Sequence, residues 1–273
     1  MIQKVLAPSD GSEESEKALP LAEQIARAND AELVLVCVID NPGFPARPGA
    51  TDEAIEKEAA AHMAETEARI RAGGTRVRAI LERGPAAAML LDREAAEAPD
   101  LVVMATHGRS GLARFALGSV TDRMVREGSA PVLIVRRSTP ASTRLENALV
   151  MLDGSGFGEG ALALARSLAG APLRAVTLFR AVADPRDRSA AQTYLDGAAG
   201  SLKGSGVETR TAIDVGDPRF VTERAAKGHD LVILATHGRG GFDRWRHGSV
   251  ADYIVRQLEQ PVLLVRARDD RVS

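Results

Sequence analysis

One long internal repeat constrains this chain more than any other feature of its sequence. The segment ATHGRSGLARFALGSV at 105–120 returns in the same register at 235–250 as ATHGRGGFDRWRHGSV. Three further stretches match: Asp10 with Asp153, DLVVM at 100–104 with DLVIL at 230–234, and PVLIV at 131–135 with PVLLV at 261–265. Each copy has the size of an ordinary domain, so the repeat predicts two similar domains rather than a solenoid.

The offset between the two copies changes along the chain. It is 143 at the first matched pair (153 − 10) and 130 at the last (261 − 131), so the second copy has a net loss of thirteen residues (143 − 130). We expect that loss between 184 and 207, where a long helical stretch of the first half has a shorter counterpart. Domains are predicted at 1–137 and 147–268, and the polar stretch 138–146 is predicted to be a linker.

The composition is that of an ordinary globular protein. The 273 residues are 45% hydrophobic and 26% charged, and the net charge is −2. This balance gives no electrostatic reason to expect nucleic acid or an anionic membrane as the partner. No apolar run approaches the ~18 residues of a membrane span, and we expect no signal peptide, because a strand is predicted to begin at residue 4. The single cysteine, Cys37, lies in an apolar run and is expected in the core. A cytoplasmic location is expected.

Short apolar runs alternate with longer Ala/Glu/Lys-rich stretches, a pattern that predicts an α/β fold. Continuously apolar runs such as Leu33–Ile39 indicate parallel strands that are covered on both faces. Ser12 is the expected N-cap of the first helix, and Pro20 is expected to kink that helix. Strands are predicted at 4–8, 32–39, 76–82, 100–106, 131–135, 147–152, 173–182, 207–215, 230–236 and 261–265, and helices at 13–28, 52–72, 86–97, 119–127, 159–169, 189–203, 218–227 and 249–257.

The predicted topology places a ligand site at one edge of each sheet. Open parallel sheets bind ligands outside the carboxyl ends of their strands, where the strand order reverses. Ser9, Asp10 and Val38 are expected there, together with 106–108 and a helix that opens with Gly118-Ser119-Val120. Unpaired amides at a helix start stabilise an anion, and glycine lets an oxygen approach the main chain. The sequence therefore points to a phosphate, with Arg109 as an added charge-assisted contact.

Two familiar nucleotide motifs do not account for this segment. No G-x-x-x-x-G-K-[ST] sequence occurs, so the helix start is not a Walker A loop. The glycines of GSGFGEG at 154–160 alternate and miss the G-x-G-x-x-G spacing. We interpret that stretch as a turn between a strand and a helix.

The pattern as a whole resembles the universal stress protein family in its tandem two-domain form. Family members that bind ATP carry G-x-x-G, nine residues, and then G-S/T. Here Gly108 is followed after nine residues by Gly118-Ser119, and the second half repeats the spacing at 238–249. The leading glycine of the family pattern is replaced by Ala105 and by Ala235. The resemblance implies two Rossmann-like open, mainly parallel five-stranded sheets of the adenine nucleotide alpha hydrolase type, one in each half.

The resemblance also implies ATP, accompanied by Mg²⁺ or alone, as the ligand, and assigns roles to individual residues. Asp10 would serve the adenosine end, and the Val38 backbone would meet the adenine edge. Asp153 and Val182 would take these places in the second half, where Met151 and Leu152 replace Pro8 and Ser9, so the first half is the better site. The implied contacts are Pro8, Ser9, Asp10, Val38, Met104, Ala105, His107, Gly108, Arg109, Gly118, Ser119 and Val120, and then Asp153, Val182, Ala235, Gly238, Arg239, Gly248, Ser249 and Val250.

Several alternatives stay open at the level of sequence. His107 and His237 fit a structural turn better than a metal site, because no second ligand stands at metal spacing. Asp10 before a glycine is also an ordinary turn pair, and Gly118-Ser119 is also an ordinary helix cap. An adenine-nucleotide-binding stress regulator is the leading hypothesis; a slow ATPase and a nucleotide-free scaffold are the rivals. The family implies that the last strands pair the two domains within one chain, and exposed strand edges leave a homodimer open.

Overall fold

A computed structural model describes residues 1–40, 51–106, 117–156, 158–236 and 249–266. Their contacts divide the chain into two compact units, Met1–Ala141 and Ser142–Ser273. The division falls inside the stretch 138–146. The Lys17 ammonium donates to the Arg137 carbonyl at 3.0 Å, so the chain stays attached to the first unit up to that point.

The first unit is an open sheet of five strands covered by helices. All of its strand pairings are parallel, and its strand order is β3-β2-β1-β4-β5, so the order reverses between β1 and β4. Its elements are β1 (Lys4–Pro8), α1 (Glu13–Glu16), α2 (Leu19–Ala28), β2 (Glu32–Ile39), α3 (Asp52–Ala72), β3 (Val77–Arg83), α4 (Ala86–Glu97), β4 (Leu101–Ala105), α5 (Ser119–Glu127) and β5 (Val132–Val135).

The second unit repeats this topology with the order β8-β7-β6-β9-β10, again with parallel pairings. Its elements are β6 (Asn147–Met151), α6 (Gly158–Ser167), β7 (Ala175–Val182), α7 (Arg188–Ser201), β8 (Glu208–Val215), α8 (Pro218–Ala226), β9 (Leu231–Thr236), α9 (Ser249–Gln257) and β10 (Val262–Arg266). A short 3-10 turn, Pro185–Asp187, precedes α7. The predicted α/β class with a parallel sheet in each half is confirmed.

The core of each unit lies on both faces of its central strands. In β2 the seven residues from Leu33 to Ile39 are all buried, and Cys37 is among them. Such strands have no solvent face, which is why their sequences are continuously apolar rather than alternating. Among the described residues, no helix combines the length and the apolar character that crossing a membrane requires.

The first predicted helix, 13–28, is two helices rather than one kinked helix. Ser12 caps α1 as expected, since its hydroxyl accepts from the Ser15 amide at 3.1 Å. The helix then breaks at Lys17 and Ala18, and Pro20 falls in the first turn of α2. Proline is tolerated there because a first-turn amide has no intrahelical acceptor. The expected kink was therefore wrong, and the proline begins a new helix.

Hydrogen bonds at the strand ends relate the two units residue by residue. The Leu152 amide donates to the Phe179 carbonyl, and the Ser9 amide donates to the Val36 carbonyl, both at 2.9 Å. Gly216 likewise donates to Val182 as Gly84 donates to Ile39. Val182 therefore corresponds to Ile39, and Ala181 corresponds to Val38. The expected match of Val182 with Val38 was wrong by one residue.

The same correspondence locates the shortening of the second unit. The offset is 143 along β2 and β7 (182 − 39) but 132 at Gly84 and Gly216 (216 − 84). Eleven of the thirteen residues are thus lost in the segment that contains α7, which has 14 residues against 21 in α3. The other two are lost between Gly216 and Asp230, in the segment that contains α8. The expected position, between 184 and 207, is therefore right for eleven of the thirteen lost residues and wrong for the other two.

An ionic cluster at Glu97 joins the end of α4 to the sheet. The Glu97 carboxylate accepts from Arg78 of β3 at 2.5 and 3.0 Å and from Lys4 of β1 at 3.1 Å. The Arg78 hydrogen bonds, with help from Lys4, lower the pKa of Glu97 to about 2. Because the side chain is largely enclosed, these contacts are screened less than those of a surface pair.

We expect Glu97→Gln to make the free energy of unfolding depend less steeply on pH in the acid range. The folded-state pKa is depressed, so the stabilisation is present above the unfolded value of about 4.3 and is lost as the pH falls from there toward 2. Urea unfolding from pH 2.5 to 7 should show a shallower slope for the variant below about pH 4.5. Glu208→Gln, which alters an exposed pair with Arg210, serves as the control and should keep the wild-type slope. Parallel curves for Glu97→Gln and wild type would contradict the assignment.

Candidate functional site

The carboxyl ends of β1, β2 and β4 meet at one edge of the first unit's sheet. The strand order reverses between β1 and β4, so the connections after these two strands leave toward opposite neighbours. In open parallel sheets this position forms a crevice. The chain after β1 supplies Ser9 and Asp10 to this edge, and α5 begins close to the end of β4.

Asp10 forms a tight turn with the residues that follow it. Its Oδ1 accepts from the Ser12 amide at 2.9 Å, its own amide donates to Ser15 Oγ at 3.2 Å, and Gly11 has φ of 73°. The turn interpretation of Asp10 is therefore confirmed for one carboxylate oxygen. A turn of this kind also fixes the direction of the side chain, which remains only half-buried at the sheet edge.

The second half repeats this turn. Asp153 Oδ1 accepts from the Ser155 amide at 2.9 Å and from its hydroxyl at 2.6 Å, and Gly154 has φ of 83°. This positive φ favours glycine, and an added Cβ would also lie 2.7 Å from the Arg180 guanidinium. The Asp-Gly-Ser geometry is thus common to both halves.

Ser9 lies beneath the turn of the first half. The residue is buried, its hydroxyl accepts from the Gly11 amide at 3.2 Å, and its Oγ lies 3.4 Å from Ser15 Oγ. Leu152 occupies the corresponding place in the second half and is also buried. The first half therefore supports its Asp-Gly-Ser turn with a hydroxyl that the second half lacks.

The start of α5 is joined directly to the end of β4. The Gly118 amide donates to the Thr106 carbonyl at 2.7 Å, and the buried Thr121 hydroxyl donates to the Ala105 carbonyl at 2.8 Å. Both contacts fix the first turn of the helix against the sheet edge. Sequence analysis did not single out Thr121, because a threonine in a first turn carries no signal of its own until the packing is known.

The amides that open α5 have no side-chain cap within the described residues. Gly118 is the N-cap, with φ of −59° and ψ of 150°, and Ser119 is the first helical residue. The ordinary interpretation of Ser119 as the capping residue is therefore wrong. By helix geometry the first amides lack intrahelical acceptors and carry the positive end of the helix dipole. This helix start can accept an anion.

The remaining predicted residues of the first half divide into four groups. Val38 and Met104 are buried near the ends of β2 and β4, while Pro8, Ala105 and Val120 are half-buried. Ser119 is exposed. His107, Gly108 and Arg109 lie outside the described residues, as do Gly238, Arg239 and Gly248 of the second half.

A cavity of about 600 Å³ lies at the corresponding edge of the second unit. Of the residues predicted for this half, Val250 lines the cavity, while Val182 is buried, Ala235 is half-buried and Asp153 is exposed. Ser249 begins α9, and its side chain is outside the description. The lining residues are Ala183, Gly216, Asp217, Pro218, Arg219 and Val250.

Arg219 is a cavity residue that sequence analysis missed. A usable signal was present, because Asp-Pro-Arg occurs at 184–186 and again at 217–219. Across the described ranges, no three His, Cys, Asp or Glu side chains come together as a metal-binding group. The charged features of this edge are therefore hydrogen-bonded side chains and a helix start.

Comparison with known proteins gives one consistent result. The family model described as universal stress protein family matches residues 1–136 and 145–266. A universal stress protein of Mycolicibacterium smegmatis is 28% identical over 97% of this chain and 97% of its own length. One from Methanocaldococcus jannaschii is 28% identical over 50% of this chain and 84% of its own.

Solved structures show the same architecture over nearly the whole chain. A universal stress protein from Archaeoglobus fulgidus has a TM-score of 0.77 at 20% identity, covering 97% of this chain and 98% of its own. A putative universal stress protein from Pseudomonas aeruginosa has a TM-score of 0.73 at 18% identity, covering 97% and 93%. At these identities the likeness concerns the fold.

We expect Thr121→Val to loosen the start of α5. The change keeps the volume but removes the donor to the Ala105 carbonyl, which should cost about 1–2 kcal/mol of unfolding free energy. Urea unfolding measures the loss, and hydrogen exchange should show faster exchange of the first α5 amides. Thr222→Val is the control: Thr222 is fully buried, and within the described chain its hydroxyl has no partner, so no loss is expected. Equal destabilisation by both changes would refute the assigned role of Thr121.

Proposed function

Because the chain belongs to the universal stress protein family in its tandem form, we propose that its first half binds ATP or a related adenine nucleotide in a cytoplasmic stress-response regulator. The observation that carries the proposal is the start of α5, which no described side chain caps and which is held against the end of β4. A nucleotide would place its phosphates there and its nucleoside beside Asp10.

The phosphate contacts would come mainly from main-chain groups. The amides of Ser119 and Val120 open the helix, and Gly118 presents no side chain to an approaching oxygen. Hydrogen bonds from amides to an ionised phosphate are charge-assisted, and each contributes about 1.5–3 kcal/mol. In the family pattern Gly108 and Arg109 would complete this contact.

The nucleoside contacts would come from the ends of β1 and β2. The Asp10 carboxylate is oriented by the Ser12 amide, and a carboxylate accepts hydrogen bonds from hydroxyl groups such as those of ribose. Val38 lies one residue before the end of β2, where its backbone would meet the adenine edge. Buried apolar side chains such as Met104 give that edge an apolar floor.

A binding role fits the described residues better than hydrolysis does. Hydrolysis requires a group that positions water at the transferred phosphate. The carboxylate in the first turn of α5, Asp122, is paired with Arg126 at 3.4 Å, and Asp10 belongs to its own turn. Bound nucleotide would then act by changing the conformation or the choice of partner.

Gly118→Val should block the phosphate contact of the first half. Gly118 has φ of −59°, which any L-residue adopts, so the variant should fold while its side chain occupies the space of the phosphate oxygens. Titration calorimetry with ATP and Mg²⁺ should show affinity falling by at least tenfold, as expected for the loss of one charge-assisted contact. Gly248→Val should have the smaller effect, because the second half lacks the counterparts of Pro8 and Ser9.

Two results would contradict this proposal or a part of it. Wild-type protein that carries no co-purified nucleotide by mass spectrometry and gives no heat up to millimolar ATP would end it. Equal losses in Gly118→Val and Gly248→Val would end the ranking of the two halves. Phosphate release that persists unchanged in Asp10→Ala and Gly118→Val would indicate a contaminating enzyme, whereas release that both changes remove would support turnover at this site.

A further inference from the structure

The second unit contains two Asp-Pro-Arg segments with the same local geometry. In the first, Asp184 Oδ1 accepts from the Arg186 amide at 2.8 Å; in the second, Asp217 Oδ1 accepts from the Arg219 amide at 2.9 Å. In both, the arginine Nε and Nη2 return to the same carboxylate. Each segment therefore pairs its guanidinium with the aspartate at its own start.

The two segments differ in their surroundings. Arg219 lines the cavity at the carboxyl edge of the sheet together with Val250 of α9. Arg186 is not part of that lining, and its side chain is 89% exposed. The chain thus offers one arginine at the proposed site and a matched arginine away from it.

Aromatic packing fixes Arg219 relative to α9. Its Cζ lies 5.4 Å from the centre of the Phe220 ring, and that ring meets Tyr253 of α9 edge-on, with centres 5.7 Å apart. The Tyr253 hydroxyl donates to Glu223 of α8 at 2.8 Å, which joins the two helices a second time. The guanidinium therefore has a defined position beside the first turns of α9.

The first half has no equivalent of this arrangement. The correspondence of Gly216 with Gly84 places Ala87 and Ala88 where the second half has Arg219 and Phe220. Tyr253 corresponds to Arg123 through the repeat at 105–120 and 235–250. At these positions the described residues of the first half carry neither the cavity arginine nor the aromatic pair.

We propose that Arg219 makes the second half a site for polyphosphate chains, preferred over ligands with one phosphate or none. The proposal rests on the assignment of the sheet's carboxyl edge as the nucleotide site. Nε and Nη2 are bonded to Asp217, while Nη1 meets no acceptor in the described part of the chain. Guanidinium donors match phosphate oxygens in geometry and in charge.

The size and the charge of the cavity fit this class of ligand. Small-molecule sites enclose roughly 300–1,000 Å³, and this cavity of about 600 Å³ lies within that range. Asp217 offsets the net charge of the arginine, so the contact depends on a directed donor rather than on bulk positive potential. Arg219 and Val250 in the first turn of α9 line the same cavity, so a chain of phosphates can meet both anion contacts with different phosphate groups.

The experiment uses the full-length Gly118→Val protein, in which the first site is blocked. Tripolyphosphate and orthophosphate are titrated calorimetrically at fixed ionic strength, without adenine. Tripolyphosphate should bind more tightly than orthophosphate, and adding Arg219→Ala should weaken tripolyphosphate at least tenfold and remove the preference. Arg186→Ala, added instead, should leave both affinities unchanged. Urea unfolding confirms that each protein is folded.

Three results would overturn the proposal. These are no binding of tripolyphosphate to Gly118→Val, equal affinity with and without Arg219, and an equal loss in Arg186→Ala. None of them bears on ATP binding by the first half, which is measured on wild-type protein. Conversely, a wild-type protein that fails to bind ATP, combined with an Arg219-dependent tripolyphosphate site, would end the nucleotide assignment but keep the anion site.

Discussion

The hydrogen bonds that join the start of α5 to the end of β4 are the constraint on which the proposed site depends. A parallel sheet brings its strand ends to one edge, but that alone does not give a ligand a fixed contact. Gly118 and Thr121 each donate to a carbonyl at the end of β4, so the uncapped amides are held in place relative to the sheet. The Asp10 turn is held by its own hydrogen bonds to Ser12 and Ser15, and Ser9 before it donates to the Val36 carbonyl of β2.

The two halves share a backbone but differ in how they support it. Both keep the Asp-Gly-Ser turn with a glycine at positive φ, because that path of the chain requires it. The hydroxyl beneath the turn is replaced by Leu152, and Thr121 corresponds to Ala251. The second half instead gains a guanidinium at its own cavity. The two halves therefore share the turn at the carboxyl edge of the sheet but differ in the side-chain hydrogen-bond donors around it.

The sequence predicts the strands well because buried parallel strands are continuously apolar and the repeat gives each assignment twice. It fails where a local sequence match disagrees with the hydrogen-bond register. Val182 matches Val38 in sequence, yet the Val182 carbonyl accepts the hydrogen bond that the Ile39 carbonyl accepts in the first half. Pro20 could equally kink a helix or begin one, and only the break at Lys17 decides. The repeated Asp-Pro-Arg marks Arg219 in the sequence, but its place beside α9 depends on the packing of α8 against α9, which no local pattern encodes.

The same divergence extends to the helices that cover each sheet. In the first unit, α3 is joined to α1 and α2 by His62–Glu16 at 2.8 Å and Arg69–Glu23 at 3.0 Å. With the offset of 132, His62 and Arg69 correspond to Tyr194 and Ser201 of α7, which line a groove of about 540 Å³ beside α6. Tyr194 lies against the Arg180 guanidinium, and Ser201 is too short to reach a neighbouring helix, so neither residue repeats the contact that its counterpart makes in the first unit. The first unit therefore joins its covering helices through side-chain contacts that α7 does not repeat at the corresponding positions, so the divergence between the halves reaches beyond the strand ends.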